Sequence, residues 1–239
     1  LLANGSSQEG REAAIQKLRE HDDHAELVIN GEIVGIEQSY TGARFGTFLT
    51  LDGINDYVDL GNPAALNITG PISLEAWIKP QDISGTRTII SRGNTEFLNS
   101  GIFLRIENGK YQVGAKAGST ESTASFSIPA ADSGSWIHLA GTYDGTQWKL
   151  YRNGELVSTS SGPAIGGGAG NTAWAIGAQG GRPDGFFKGL VDEVRIWNTA
   201  RTGTQILESF DSSLSGTQQN LAGYWQFQNP TNGLLLDST

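Results

Sequence analysis

Residues 136–160 read WIHLAGTYDGTQWKLYRNGELVSTS. Tyr143-Asp144-Gly145 and Arg152-Asn153-Gly154 are turn signals, because Asp and Asn bond their own backbone and Gly accepts a positive φ. Between the turns the pattern has a period of two. Trp136, His138, Ala140 and Thr142 share one face of the first strand, and Ile137, Leu139, Gly141 and Tyr143 share the other. After the turn, Trp148, Leu150 and Arg152 alternate with Lys149, Tyr151 and Asn153. Both faces carry bulk. Such a strand belongs in the centre of a sandwich, or in a sheet whose second face meets a ligand.

The same period runs outward along the chain. Phe45, Thr47, Leu49 and Leu51 alternate in RFGTFLTLDG (44–53), and Ile72, Leu74, Ala76 and Ile78 alternate in ISLEAWIKP (72–80), which Pro80 ends. Further short apolar runs stand at DYVDLG, RTIISRG, GIFLRIENGKYQVGAK, STASFSIPA, TAWAIGA, GLVDEVRIW and LAGYWQFQ. Strands this short, punctuated by Gly, Asn and Asp, predict an all-β sandwich or barrel. Helical patterning is confined to two places. Ala14, Ile15 and Leu18 predict a surface helix over 8–24, followed by a hairpin around Asn30-Gly31. Thr202 with Gln205 forms a capping-box pattern that opens a helix over 202–210.

Composition narrows the function classes. The 239 residues include 33 Gly, 6 Trp, 9 Phe and 6 Tyr, and 37% are hydrophobic, enough to build a core. The net charge of −9 argues against nucleic acid and against an anionic membrane surface, both of which need clustered Lys and Arg. The absence of Cys excludes disulfides, thiolate nucleophiles and thiolate zinc sites. No run of about 18 apolar residues spans a membrane. The opening LLANGSS reads as the start of a segment taken from a longer polypeptide.

The motifs RFGTFLTLDGINDYVDLG, PISLEAWIKP, SWIHLAGTYDGTQWKLYRNGELV and GLVDEVRIWNTART, closing with LAGYWQFQ, together resemble the laminin-G-like and pentraxin-like domains of the concanavalin A-like superfamily. The resemblance implies a two-sheet antiparallel jelly roll over 41–239, with 1–40 as an N-terminal helix and hairpin extension. It also implies an extracellular or cell-surface recognition module that binds carbohydrate or a protein partner, beside other domains of the same polypeptide.

Glycosidases of that superfamily set paired carboxylates at alternating positions of one strand, as acid and nucleophile must stand close together. No such spacing occurs here. Glu75 is alone on its strand, and Asp192 and Glu193, being adjacent, are expected on opposite faces. An enzyme is therefore disfavoured. His21 and His24 stand at i, i+3, too few for zinc, and His138 is expected to pack with one ring nitrogen bonded to backbone. Gly166–Gly170 lacks the Lys-Ser/Thr ending of a phosphate loop. Asn67-Ile68-Thr69 matches a glycosylation sequon, read as chance.

Calcium takes six to eight oxygens, and Asp52, Asn55 and Asp56 gather oxygens within five residues. The same residues also suit an ordinary turn, and both readings stand. The calcium-binding acids of pentraxin-like members have no counterpart at Ala178, Gln179 and Gly180, where Asp184 is the nearby carboxylate. For a ligand, the loops 91–97 and 178–187 supply Arg92, Asn94, Glu96, Gln179, Arg182 and Asp184 beside Phe186, the mix of hydrogen-bonding groups and a ring that sugars require. The alternative is a solvated loop with Phe187 buried. A second candidate is a groove on the concave sheet lined by Tyr111, Lys116, Trp148 and Tyr151, against which stands core packing of most of them. Beside the recognition module stand a structural spacer or interaction domain with no small ligand, and a glycan-active enzyme.

Overall fold

The computed structural model describes residues 36–38, 47–95, 100–166 and 172–227. The predicted helix over 8–24, the Asn30-Gly31 turn, His21, His24 and Glu96 lie outside them. Among the described residues fourteen strands run in chain order. They are β1 (Ile36–Gln38), β2 (Thr47–Asp52), β3 (Val58–Gly61), β4 (Ile72–Pro80), β5 (Thr86–Asn94), β6 (Ser100–Glu107) and β7 (Lys110–Ala117). The rest are β8 (Thr120–Ser127), β9 (Ile137–Tyr143), β10 (Trp148–Arg152), β11 (Glu155–Thr159), β12 (Trp174–Ile176), β13 (Lys188–Trp197) and β14 (Leu221–Trp225). A helix, α1 (Gly203–Ser209), opens on the Thr202–Gln205 capping box that the sequence shows.

The strands form two antiparallel sheets. Eight lie in the order β1-β2-β13-β4-β9-β10-β11, with β14 also on β13, and six in the order β3-β12-β5-β6-β7-β8. This is the jelly-roll sandwich. One alternate set of side chains from each sheet faces the other sheet: Leu49, Leu74, Val191, Leu139 and Trp148 meet Ile90, Leu104, Tyr111, Val113 and Trp174 in one core. Gly141 of β9 is required by this closeness, because a Cβ there would stand 2.1 Å from Val113 Cγ2 of β7.

The central strands of the eight-stranded sheet are buried on both faces. β4 and β9 have every position but Lys79 buried. Their second face lies under α1 and the following segment. Trp77 donates its Nε1–H to Phe210 O at 2.7 Å, Phe210 stacks on Trp77, and Ala140, Tyr151 and Ile206 form a small separate cluster. The second face of the opening ribbon therefore meets a helical cap. The predicted groove dissolves accordingly. Tyr111 and Trp148 are in the inter-sheet core, and Tyr151 is beneath α1. Lys116 alone of the four stands half-buried, donating from Nζ to Thr95 O at 2.8 Å.

Asp192 and Glu193 depart from the expected opposite faces. The pairing of β13 with β4 shifts between Asp192 and Arg195, and Glu193 has φ 51. This is a β-bulge, which inserts one residue and breaks the two-residue alternation. Val191 and Val194 stay in the core, while both carboxylates lie on the capped face. There Glu193 accepts from Arg195 Nη2 at 2.7 Å and from Ser213 Oγ at 3.0 Å. Asp192 pairs opposite Trp77 and accepts from Glu193 N at 2.7 Å. Burial and the neighbouring Glu193 push the Asp192 carboxyl up to about 8, against a smaller pull from the Glu193 N–H and Arg195.

Glu75 is fully buried on the same face. Its Oε1 accepts from Arg201 Nη1 at 2.6 Å, and Arg195 Nη1 stands 3.8 Å from its Oε2. Burial pushes its carboxyl upward, but His138, Arg201 and Arg195 more than offset that and hold it at about 2. His138 makes no ring hydrogen bond to backbone, contrary to expectation. Its Nε2 stands 3.5 Å from Glu75 Oε2, and among the described residues neither ring nitrogen has a hydrogen-bond partner of good geometry. Burial lowers its pKa, so it is neutral at pH 7.

Candidate functional site

The loop from β12 to β13 is tied both to itself and to β5. Phe187 N donates to Gly177 O at 2.8 Å, and Gln179 N donates to Asp184 O at 2.9 Å, closing the segment on itself. Thr88 N donates to Gly185 O at 2.7 Å, and Ser91 Oγ bonds both Ala178 O at 3.1 Å and Gly180 N at 2.8 Å, tying the loop to β5. Gly180 is needed for this approach, since a Cβ there would meet Ala173 O at 2.0 Å. Residues 181–184 are left exposed on a fixed base.

Between this loop, the start of β5 and the turn after β2 lies a surface cleft of about 290 Å³, lined by Gly53, Thr86, Arg87, Gln179, Asp184, Gly185 and Phe186. Phe186 is half-buried, its ring tilted against Tyr57 at 6.2 Å. Arg87 donates from Nη1 to Phe186 O at 3.2 Å and forms an ion pair with Asp82 through Nη2. The Ser84 N–H and hydroxyl, and then Arg87, hold the Asp82 carboxyl at about 2, so this pair is fully charged at neutral pH. Asp184 is exposed, one oxygen accepting from Gly185 N at 2.7 Å. Gln179 is 3% exposed, and its Oε1 accepts from Thr95 N at 2.8 Å and Thr95 Oγ1 at 3.1 Å. Its Nε2, like Arg87 Nε, has no hydrogen-bond partner among the described residues.

Gln179, Asp184 and Phe186 thus converge as the sequence suggests, and Phe187 is buried behind them. Arg182 is exposed on the loop, and its backbone oxygen accepts from the buried Asn94 Nδ2 at 2.7 Å, so Asn94 positions the loop from within. Arg92 points inward, donating from Nη1 to Ile68 O at 3.1 Å with its guanidinium 5.7 Å from the Trp174 ring centre. Thr86, Arg87 and Gly53 complete the lining without any signal in the sequence. Arg87 meets Phe186 across 99 positions of chain, a contact no local pattern announces.

The 52–56 turn uses one carboxylate oxygen of each aspartate for its own backbone. Asp52 Oδ1 accepts from Ile54 N at 2.7 Å and Asn55 N at 3.4 Å, and Asp56 Oδ2 accepts from Asp52 N at 3.0 Å. Among the described residues no three His, Cys, Asp or Glu side chains gather into a metal-holding group. Among the same residues no helix is long and apolar enough to cross a membrane.

Residues 52–207 match the Laminin_G_3 model, described as concanavalin A-like lectin/glucanases superfamily. Among solved structures, domain 4 of AbnA, a GH43 extracellular arabinanase from Geobacillus stearothermophilus in complex with arabinotriose, is 27% identical. The match covers 74% of this chain and 84% of that one, with a TM-score of 0.57. A putative carbohydrate binding protein from Bacteroides ovatus, at 23% identity and the same TM-score of 0.57, shares the fold over 71% of this chain and 48% of its own. Pappalysin-1 of Mus musculus is 33% identical over 82 residues, which are 33% of this chain and 5% of that protein.

Proposed function

This chain belongs to the Laminin_G_3 family of the concanavalin A-like superfamily, and on that premise we propose that it is a non-catalytic carbohydrate-binding module of a secreted or surface protein. The single observation that carries the reading is the likeness to the arabinanase domain held with arabinotriose, at 27% identity over 84% of that domain. The cleft supplies the matching chemistry. Phe186 offers a ring to the apolar face of a sugar, and Asp184 and Arg87 offer polar groups beside it. The carboxylates that acid–base chemistry would need are engaged elsewhere: Glu75 and Glu193 are sealed under the α1 cap, each in an ion pair with an arginine.

Calorimetric titration with arabinotriose, cellotriose and xylotriose tests the proposal. A saturable heat with at least one of them, reduced about tenfold by Phe186→Ala through loss of the ring contact, is the expected result. No heat with any of them rejects it. A second reading, an interaction domain, is favoured by one observation. Leu156 of β11, an edge strand of the eight-stranded sheet, and Leu207 of α1 are 53% and 55% exposed.

A further inference from the structure

Phe186 meets a second ring that lies outside the lining of the cleft. Tyr57 leads into β3 between two buried neighbours. Asp56 is tied down by its bond from Asp52 N at 3.0 Å, and Val58 is in the core. Alternate side chains of an extended segment take opposite sides, so Tyr57 turns outward and is half-buried. Phe186 is placed in the same way. Phe187 is fully buried beside it, and the Phe186 carbonyl accepts from Arg87 Nη1 at 3.2 Å. Two segments far apart in the chain thus each turn one ring outward. The rings meet at 6.2 Å between centres, with 56° between their planes, within the range in which aromatic pairs attract.

The two rings divide the work. Phe186 lines the cleft, and the glycines Gly53 and Gly185 that line it too carry no side chain to cover the ring. Tyr57 is not part of that lining and braces Phe186 from outside it. A half-exposed ring without a brace must be immobilised when a ligand settles on it. A ring already held in place avoids that cost, which is the general gain from preorganisation. The brace is itself fixed, because the turn that carries it is closed by the Asp52 and Asp56 carboxylates.

Resting on the binding-module reading above, we propose that Tyr57 is a positioning residue of this cleft, fixing the Phe186 ring for stacking on a sugar without touching the sugar itself. The test is a double-mutant cycle by calorimetry with arabinotriose, cellotriose and xylotriose. It compares wild type, Tyr57→Phe, Tyr57→Leu, Phe186→Ala and the double variant Tyr57→Leu/Phe186→Ala, each melted in parallel. A sugar that wild type binds should bind Tyr57→Phe equally well and Tyr57→Leu about three- to tenfold more weakly, the range for ordering one side chain. The double variant should bind as Phe186→Ala does, because no ring is left to fix. Unchanged binding by Tyr57→Leu overturns the assignment. So does a loss that recurs in full on the Phe186→Ala background, since Tyr57 would then act without Phe186. A loss in Tyr57→Phe also overturns it, by making the hydroxyl a direct contact. One readout needs no variant to fold. In wild type, nuclear Overhauser contacts between the two rings should persist in the complex, with sugar protons reaching Phe186 and not Tyr57; sugar contacts to Tyr57 overturn the proposal. Binding of none of the three sugars by wild type overturns the module reading itself, and this inference with it.

Discussion

Asp192→Asn is expected to stabilise the protein at neutral pH. Asp192 is 2% exposed, and the bulge sets Glu193 on its own side of the sheet. Its carboxyl is raised from an ordinary 3.8 to about 8, so folding takes up a proton throughout that interval. A folded-state pKa above the unfolded one gives stability that is complete below the unfolded pKa and is lost as pH rises, here by about 1.4 kcal/mol per pH unit. His138 acts in the opposite sense. Burial lowers its pKa, so it costs stability only as pH falls below the ordinary value of 6.5. The clean window is thus pH 6.5 to 8, across which wild type should lose about 2 kcal/mol. The amide introduced by the substitution still accepts from Glu193 N and needs no proton, so the variant's profile should be flat there. Urea unfolding of both proteins at three pH values across that window measures the difference. Parallel profiles would refute the placement of both carboxylates under the cap.

Three further outcomes concern other parts of the fold. Arg201→Met strands the fully buried Glu75 without its closest partner, at 2.6 Å, and should cost about 3–5 kcal/mol in chemical denaturation, recovered in part by adding Glu75→Gln. Gly141→Ala forces a Cβ to 2.1 Å from Val113 Cγ2 and should cost about 1–3 kcal/mol, with Val113→Ala in the same chain relieving part of it; additive effects would mean the two positions do not face each other. Calcium or EDTA should leave the melting temperature unchanged in a thermal-shift assay, because Asp52 Oδ1 and Asp56 Oδ2 already accept from N–H groups of their own turn; a rise with calcium would make the turn an ion site.

What can be read from the chain alone divides by the range of the forces involved. The alternation in β4 and the Thr202–Gln205 capping box are local patterns, and both appear where expected. The two-faced ribbon announces that something covers its second side. That the cover is α1 and Phe210 depends on a link from Trp77 133 positions away, which no period encodes. Asp192 and Glu193 are misplaced by strict alternation for a related reason. A bulge is set by cross-strand pairing with β4, so a period of two assigns the wrong face to one of the pair. At the cleft, Gln179, Asp184 and Phe186 cluster in one short loop and are visible as a group. Arg87 and Thr86 arrive on another strand and are not.

Where a sugar touches the chain is the most direct test of the binding cleft. Backbone amide shifts followed by NMR during titration with arabinotriose should move in one group, at Gly53, Thr86, Arg87, Gln179 and Asp184 to Phe186. Shifts centred on Gln112 and Lys116 of the six-stranded sheet, or none at all, would contradict it.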